Sequence, residues 1–275
     1  VIAAMVDPNP QVSGRGLERL KSAGITTQFG LLEQDARDLN PGFIRLMTTK
    51  LPYVRCKLAA SLDGKTAMAN GESQWITSRH AREDVQRLRA QSCGIICGAD
   101  SVMFDDAKMT VRWNALGELK NNYEEALVRQ PVRIIIDSKN RLTPDLAIFE
   151  TASKILLIRT AIENEQTWPH FVEQVVIPKA KDSEHIDLKL LLLYLAQQGL
   201  NDILIESGAK LAGACISAGL VDELILYQAP KLIGSTGKSL VDMPDILHLS
   251  EAKNIDIKDI TMVGKDIRIT ALFSR

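Results

Sequence analysis

Residues 204–213 read Leu204-Ile205-Glu206-Ser207-Gly208-Ala209-Lys210-Leu211-Ala212-Gly213. A short β-prone run ends on a carboxylate, serine and glycine form a tight turn, and a helix-prone stretch begins at once. The same alternation extends in both directions. Strands are expected over 53–60, 94–97, 132–136, 154–158, 172–177, 202–205 and 223–228, with helices over 79–91, 187–198 and 210–218. Several of these strands lack polar alternation, as strands covered on both faces do, so the sheet is expected to be mostly parallel and flanked by helices. The chain closes differently: 255–263 and 266–273 flank Gly264-Lys265 as an antiparallel hairpin. The expected class is α/β, a mixed and mostly parallel sheet ending in that hairpin.

Upstream, an apolar run over 1–5, a helix over 16–23, a strand over 25–29 and a helix over 33–47 give β-α-β-α punctuation. The polar, proline-bearing segment Thr48-Thr49-Lys50-Leu51-Pro52 reads as a joint. It divides the chain into 1–48, too short to stand alone, and a main domain over 49–275. The first residue is Val1, in an apolar run entered as if in mid-strand, so a preceding segment is expected.

With 33 Lys and Arg against 34 Asp and Glu in 275 residues, the chain has no basic field for nucleic acid. The four cysteines lie in or beside apolar runs, which suits a reducing compartment. The longest wholly apolar run, 190–196, is far below the ~20 residues that cross a bilayer, and no leader pattern opens the chain. No membrane partner is expected, and the location is expected to be cytoplasmic.

In sheets of this kind ligands gather beyond the carboxyl ends of strands. Four such places stand out. After 53–60 comes Asp63-Gly64, a turn dipeptide consistent with a hairpin, and Lys57 lies in the strand itself. A buried ammonium needs an anionic partner, either a structural carboxylate or a ligand. The loop Gly71-Glu72-Ser73-Gln74-Trp75-Ile76-Thr77-Ser78 holds one of three tryptophans, which can wall a ring-shaped ligand or fill core. On the helix that follows, Arg82, Gln86 and Arg89 flank the stripe Ala81, Val85 and Leu88, a pattern usually solvated.

The third place runs from Gly98 through Ser101 to Asp105-Asp106, a plausible phosphate or ribose cradle followed by Thr110-Val111-Arg112. Cys93 and Cys97 have neither a second pair nor a nearby histidine, so no metal is expected. The fourth is the opening motif. Glycine at a helix start admits a phosphate, yet the motif is neither a P-loop nor a Rossmann fingerprint. Glu206 can read a ligand hydroxyl or amide, or cap the helix. Residues 114–131 look like a surface insertion.

Taken in order, Leu58-Ala59-Ala60-Ser61-Leu62-Asp63-Gly64-Lys65-Thr66-Ala67, Gly71 to Thr77, Ala81-Arg82 with Leu88-Arg89-Ala90, Asp105-Asp106 with Thr110-Val111-Arg112, and Glu206-Ser207-Gly208 resemble the reductase domain of the bifunctional riboflavin biosynthesis protein. The opening Asp7-Pro8-Asn9-Pro10 through Gly16 resembles the C-terminal end of that family's cytidine deaminase-like domain. The resemblance implies a dihydrofolate reductase-like fold. It also implies NADPH-dependent reduction of 5-amino-6-(5-phosphoribosylamino)uracil to its ribitylamino product, and a homo-oligomer. Cofactor contacts are implied at Ala59, Trp75, Ser101, Asp105, Ser138, Gly208, Ala209, Lys210, Leu211, Ala212, Gly213 and Ala214, and substrate contacts at Ser73, Arg89, Met109, Arg112 and Glu206. Lys57, Asp105 and Glu206 are the implied catalytic groups, and Arg89 and Arg112 offer the bidentate donors that a ribose 5-phosphate takes. Deaminase chemistry needs zinc on His-x-Glu and Pro-Cys-x-x-Cys, and neither motif occurs in these 275 residues. Two other readings remain: a folate- or pteridine-type NADPH reductase, which two phosphate-suited arginines argue against, and a non-catalytic nucleotide-binding module.

Overall fold

The computed structural model describes residues 1–122, 124–163 and 166–274. They form two compact units, Val1–Tyr53 with Leu192–Asp202, and Val54–Leu191 with Ile203–Arg275.

In the first unit β1 (Ile2–Ala3) pairs in parallel with β2 (Gln28–Phe29), and α1 (Arg15–Ser22) lies between them in sequence. Both strands are shorter than their apolar runs. Ile25 belongs to the exit of α1, because its N–H donates back to Leu20 O while Gly24 takes a left-handed φ of 79°. The single helix expected over 33–47 is two, α2 (Glu33–Leu39) and α3 (Pro41–Thr49). Proline disfavours helical geometry in the residue before it, and Asn40 accordingly sits at φ −140°, while Pro41, lacking an N–H, opens the second helix. The unit reaches past the expected joint and takes in distant residues. Tyr53 N–H donates to Asn201 O at 2.9 Å, and a Cβ at Gly42 would stand 2.8 Å from that same oxygen, so only glycine admits the approach.

The remaining elements are β3 (Tyr53–Ser61), β4 (Lys65–Ala67), α4 (Arg79–Gln91), β5 (Gly94–Gly98), α5 (Ala99–Asp105), β6 (Val132–Ile136), β7 (Ile155–Arg159), β8 (Val172–Val176), α6 (Leu188–Gln197), β9 (Asp202–Glu206), α7 (Ala209–Ser217), β10 (Glu223–Ala229), β11 (Lys238–Ser239), β12 (Ile255–Val263) and β13 (Asp266–Phe273). Nine of the strands form one sheet in the order β12-β13-β10-β3-β9-β5-β6-β7-β8. The pairs from β5 to β8, β5 with β9, and β10 with β3 are parallel, whereas β13 runs antiparallel both to β10 and to its hairpin partner β12. The central strands are isoleucine- and leucine-rich and buried, as parallel strands covered on both faces must be. Among the described residues no helix is long and apolar enough to cross a membrane.

On one face Ala81, Val85 and Leu88 of α4 pack over Ile95, Cys97, Leu204, Ile225 and Tyr227, with Ala59 at the margin. The helix is started by Ser78, whose hydroxyl accepts from Ala81 N and whose own N–H is taken by Asp266. The Asp63-Gly64 turn forms with Gly64 at φ 73°, but it does not make the expected hairpin. β4 pairs instead with β11, because the Asp63 carboxylate accepts from Ile233 N and Gly234 N and draws that distant strap alongside.

Candidate active site

Two strands bring opposite charges to the α4 face of the sheet. Lys57 rises from β3, opposite Ile225 in the register with β10, and Glu206 ends the adjoining β9. The Lys57 Nζ lies 3.8 Å from Glu206 Oε1. Arg89, from the last turn of α4, donates to both oxygens of the same carboxylate at 2.8 and 2.9 Å through Nε and Nη2, and to Thr110 O at 2.8 Å through Nη1. The Arg89 and Glu206 side chains are only 13% and 15% exposed.

Electrostatics follow from that geometry. Burial by itself pushes the Glu206 carboxyl up, but Arg89 first, then Lys57 and Arg112, outweigh it and hold it down at about 2. Burial likewise disfavours the charged Arg89, and the facing Glu206 reverses the effect and raises its pKa. Cys97, fully buried beneath the pair, is pushed up to about 12 by burial and then by Glu206, and stays a neutral thiol.

These contacts correct two expectations. The polar side chains flanking the α4 stripe are not simply solvated: Arg82 covers the Trp75 ring at 4.5 Å, Gln86 is 1% exposed, and Arg89 is committed to Glu206. Arg89 therefore does not offer a free fork to a phosphate here, since all three of its nitrogens are engaged within the protein. Glu206 does not cap the helix after it. That position belongs to Gly208, with extended dihedrals and no side-chain cap.

Around the cluster, Met109 is buried in a left-handed backbone conformation at φ 55°, and Arg112, three residues on, is exposed. Ser73 is half-buried in the loop before α4, and Trp75 is 61% exposed with its carbonyl held by Lys231 at 2.7 Å. Ala59 lies half-buried on β3. Ser101 is half-buried on α5, Asp105 is exposed at that helix's end, and Ser138 follows β6 with its carbonyl accepting from Thr160. Among the described residues no hydrogen bond or ion pair joins Ser73, Ser101, Asp105 or Ser138 to the Lys57–Arg89–Glu206 cluster.

The turn into α7 fits a phosphate. A Cβ at Gly208 would meet nothing within 4 Å, and no side chain caps the helix start, so the first N–H groups of α7, which have no partner inside the helix, are left to a ligand or to solvent. Gly98, which starts α5 without a side-chain cap, is equally open. Further along α7, Leu211 is half-buried and Ala214 exposed, whereas Ala212 and Gly213 face inward. A Cβ at Gly213 would stand 1.9 Å from Asp242 O, so this glycine is required by the strap that crosses α7, and burial leaves Ala212 and Gly213 no free face for a cofactor.

Sequence reasoning passed over Gln86 as a site residue and did not single out Gln130 or Asp63 beyond its turn. Gln86 stands between Arg82 and Arg89 on the polar flank of α4, so nothing in the sequence marks it as buried.

Residues 52–269 match the RibD C-terminal domain family. The riboflavin biosynthesis protein RibD of Escherichia coli is 48% identical over 268 residues, covering 97% of this chain and 72% of that protein, and the Haemophilus influenzae protein of the same name is 42% identical over 271. Among solved structures, Acinetobacter baumannii RibD superposes with a TM-score of 0.85 at 36% identity, over 100% of this chain and 73% of that one. A Thermotoga maritima deaminase/reductase reaches 0.81 at 26% identity, over 100% and 71%. The dihydrofolate reductase-like sheet with its closing hairpin is thus the fold that the chain adopts. A chain matched over most of its length by this domain and by these relatives belongs to the RibD family.

Proposed function

We propose that the chain reduces 5-amino-6-(5-phosphoribosylamino)uracil to 5-amino-6-(5-phosphoribitylamino)uracil with NADPH, as the reductase of riboflavin biosynthesis. The observation that carries this is the Lys57–Glu206–Arg89 cluster, ionised and largely shielded beside the open start of α7 in a chain of this family. The N–H groups of Gly208, Ala209 and Lys210 would hold the cofactor's pyrophosphate, with Ser101, Ser138, Trp75 and Ala59 along its length. NADPH, when bound, supplies the hydride that C1′ of the ring-opened, C1′=N form of the substrate accepts.

The protein's part is orientation and a proton. Glu206, kept ionised by its three cations, accepts hydrogen bonds from the N–H groups of the pyrimidine. Arg89 fixes both carboxylate oxygens in place. Lys57, 3.8 Å from that carboxylate, donates a proton to the amine nitrogen as the C1′=N bond becomes C1′–N. The exposed Arg112 takes the 5-phosphate, the role for which its planar fork is suited. Ser73 and Met109 border the substrate, and Asp105 orients the cofactor's ribose.

Residues 1–48 are read as the C-terminal part of a deaminase domain, and any zinc belongs to that chemistry. The location is read as cytoplasmic and the assembly as a homo-oligomer. The exposed apolar row Ile255, Ile257, Ile260 and Met262 on the edge strand β12 supports self-association, which sedimentation velocity measures directly.

The deciding assay follows loss of NADPH absorbance with enzymatically generated phosphoribosylaminouracil and, separately, with dihydrofolate. Turnover of the first alone is expected. Turnover of dihydrofolate would make this a folate-type reductase, and NADPH binding without turnover of either would make it a binding module.

A further inference from the structure

The segment that delivers Arg112 is held in an unusual way. Residues 109–112 belong to no strand or helix. Yet both peptide groups between Thr110 and Arg112 have all their polar atoms satisfied, every one by a side chain. Thr110 O accepts from Arg89 at 2.8 Å. Val111 N–H donates to Gln130 Oε1 at 2.8 Å, and Val111 O accepts from Gln130 Nε2 at 2.9 Å, a two-way amide clasp. Arg112 N–H donates to Gln86 Oε1 at 2.9 Å. Arg112 O is occupied as well, accepting from Ala115 N as a short 3-10 turn begins.

Two features separate this from ordinary loop packing. Gln86 is almost wholly buried on α4, between Arg82 and Arg89, where an apolar residue would pack without the desolvation cost of an amide. Gln130 closes the excursion that Arg112 opens, and its neighbour Arg129 donates to Ser92 O, just beyond the end of α4. Both ends of the excursion are therefore pinned to one frame, the helix whose Arg89 holds Glu206. The Arg112 backbone is fixed while its guanidinium remains exposed.

We propose that Gln86 and Gln130 are positioning residues for substrate binding, which act by setting the distance between Arg112 and Glu206 and hence between the phosphate and ring ends of one ligand. The proposal rests on the reading of Arg112 as the phosphate-holding arginine. The amide clasp between Val111 and Gln130 then isolates Arg112 from the conformation of the residues between them.

The test is a kinetic double-mutant cycle on the full chain, with thermal midpoints recorded for every variant. Gln86→Leu removes the acceptor, Gln86→Glu keeps one, Gln130→Ala removes the clasp, and Arg112→Ala removes the guanidinium. Gln86→Leu and Gln130→Ala are each expected to raise KM for the phosphorylated substrate about tenfold, with kcat and KM for NADPH within about threefold of the parent. Gln86→Glu should restore KM to within about threefold. In the Arg112→Ala background neither change should raise KM further, since the group they position is gone. A further rise there, or equal losses in kcat and in NADPH binding, overturns the proposal and makes the amides general supports of the fold. Should Gln86→Leu fail to fold, the half-buried Gln130→Ala decides by the same criteria. Failure of the underlying reading is separable: Arg112→Ala would then leave KM unchanged, and ribose 5-phosphate would not inhibit the parent enzyme. That result removes both.

Discussion

Glu206→Gln keeps the size of the side chain and stands in for the protonated acid. Lowering the carboxyl from 4.5 to about 2 corresponds to roughly 3 kcal/mol of preference for the ionised form in the folded protein, at ~1.4 kcal/mol per tenfold change. The carboxylate is 15% exposed, so little of this is lost to solvent screening. The folded value lies below the unfolded one, so the stabilisation is present in full above about pH 4.5 and is lost as the pH falls towards 2. The variant should therefore be about 3 kcal/mol less stable than the parent at pH 7, with the gap closing to about 2 kcal/mol at pH 3.5. Urea midpoints of both proteins at the two pH values measure it, and the other carboxylates cancel in the difference. A gap independent of pH would refute the argument. So would a Gln variant as stable as the parent at neutral pH, which would mean that burying the carboxylate costs as much as its cations return.

Arg89→Ala removes three donors at once, leaving a shielded carboxylate with Lys57 and the exposed Arg112. It should raise KM for the substrate well over tenfold while KM for NADPH stays nearly constant, and Arg89→Lys should recover little, because a point charge cannot bridge both oxygens. Gly213→Ala must displace the strap at Asp242, at a cost of about 1–3 kcal/mol, which scanning calorimetry would register as a fall in Tm of several degrees. Burial pushes Cys56, Cys97 and Cys215 up to about 12, so a thiol reagent at pH 8 should modify Cys93 alone in the native protein and all four cysteines in urea; fast native modification of Cys97 would mean that the cluster opens.

The sheet was legible because its strands are short, β-branched and buried on both faces. The strand 132–136, the helix 79–91 and the closing hairpin fall where the periodicity puts them. What was misread has local causes. The break at Pro41 is written in the sequence as a proline, and the apolar residues around it mask it. The pairing of β4 with β11 depends on Asp63 reaching a loop 171 positions away, which no window along the chain contains. In the site, Lys57 and Glu206 were visible as charges in apolar strands. Their union with Arg89 was not, because it joins residues 117 apart.

The least legible part was the role of the amides. A glutamine on a helix is ordinary until its neighbours in space are known, and Gln86 and Gln130 acquire meaning only through the peptide groups they satisfy. Three cations, Lys57, Arg89 and Arg112, face one carboxylate. The Arg89 pairing neutralises Glu206 without removing its capacity to accept hydrogen bonds, and the cluster as a whole keeps an excess of positive charge. Such an excess is costly for a partly buried site unless something anionic enters it. Arg112 is exposed, and side chains rather than a strand or helix fix its backbone, so on the proposed reading it is the group that would take an anionic end of the substrate. On that reading a phosphorylated substrate would satisfy the charge, and a neutral pterin would leave it standing.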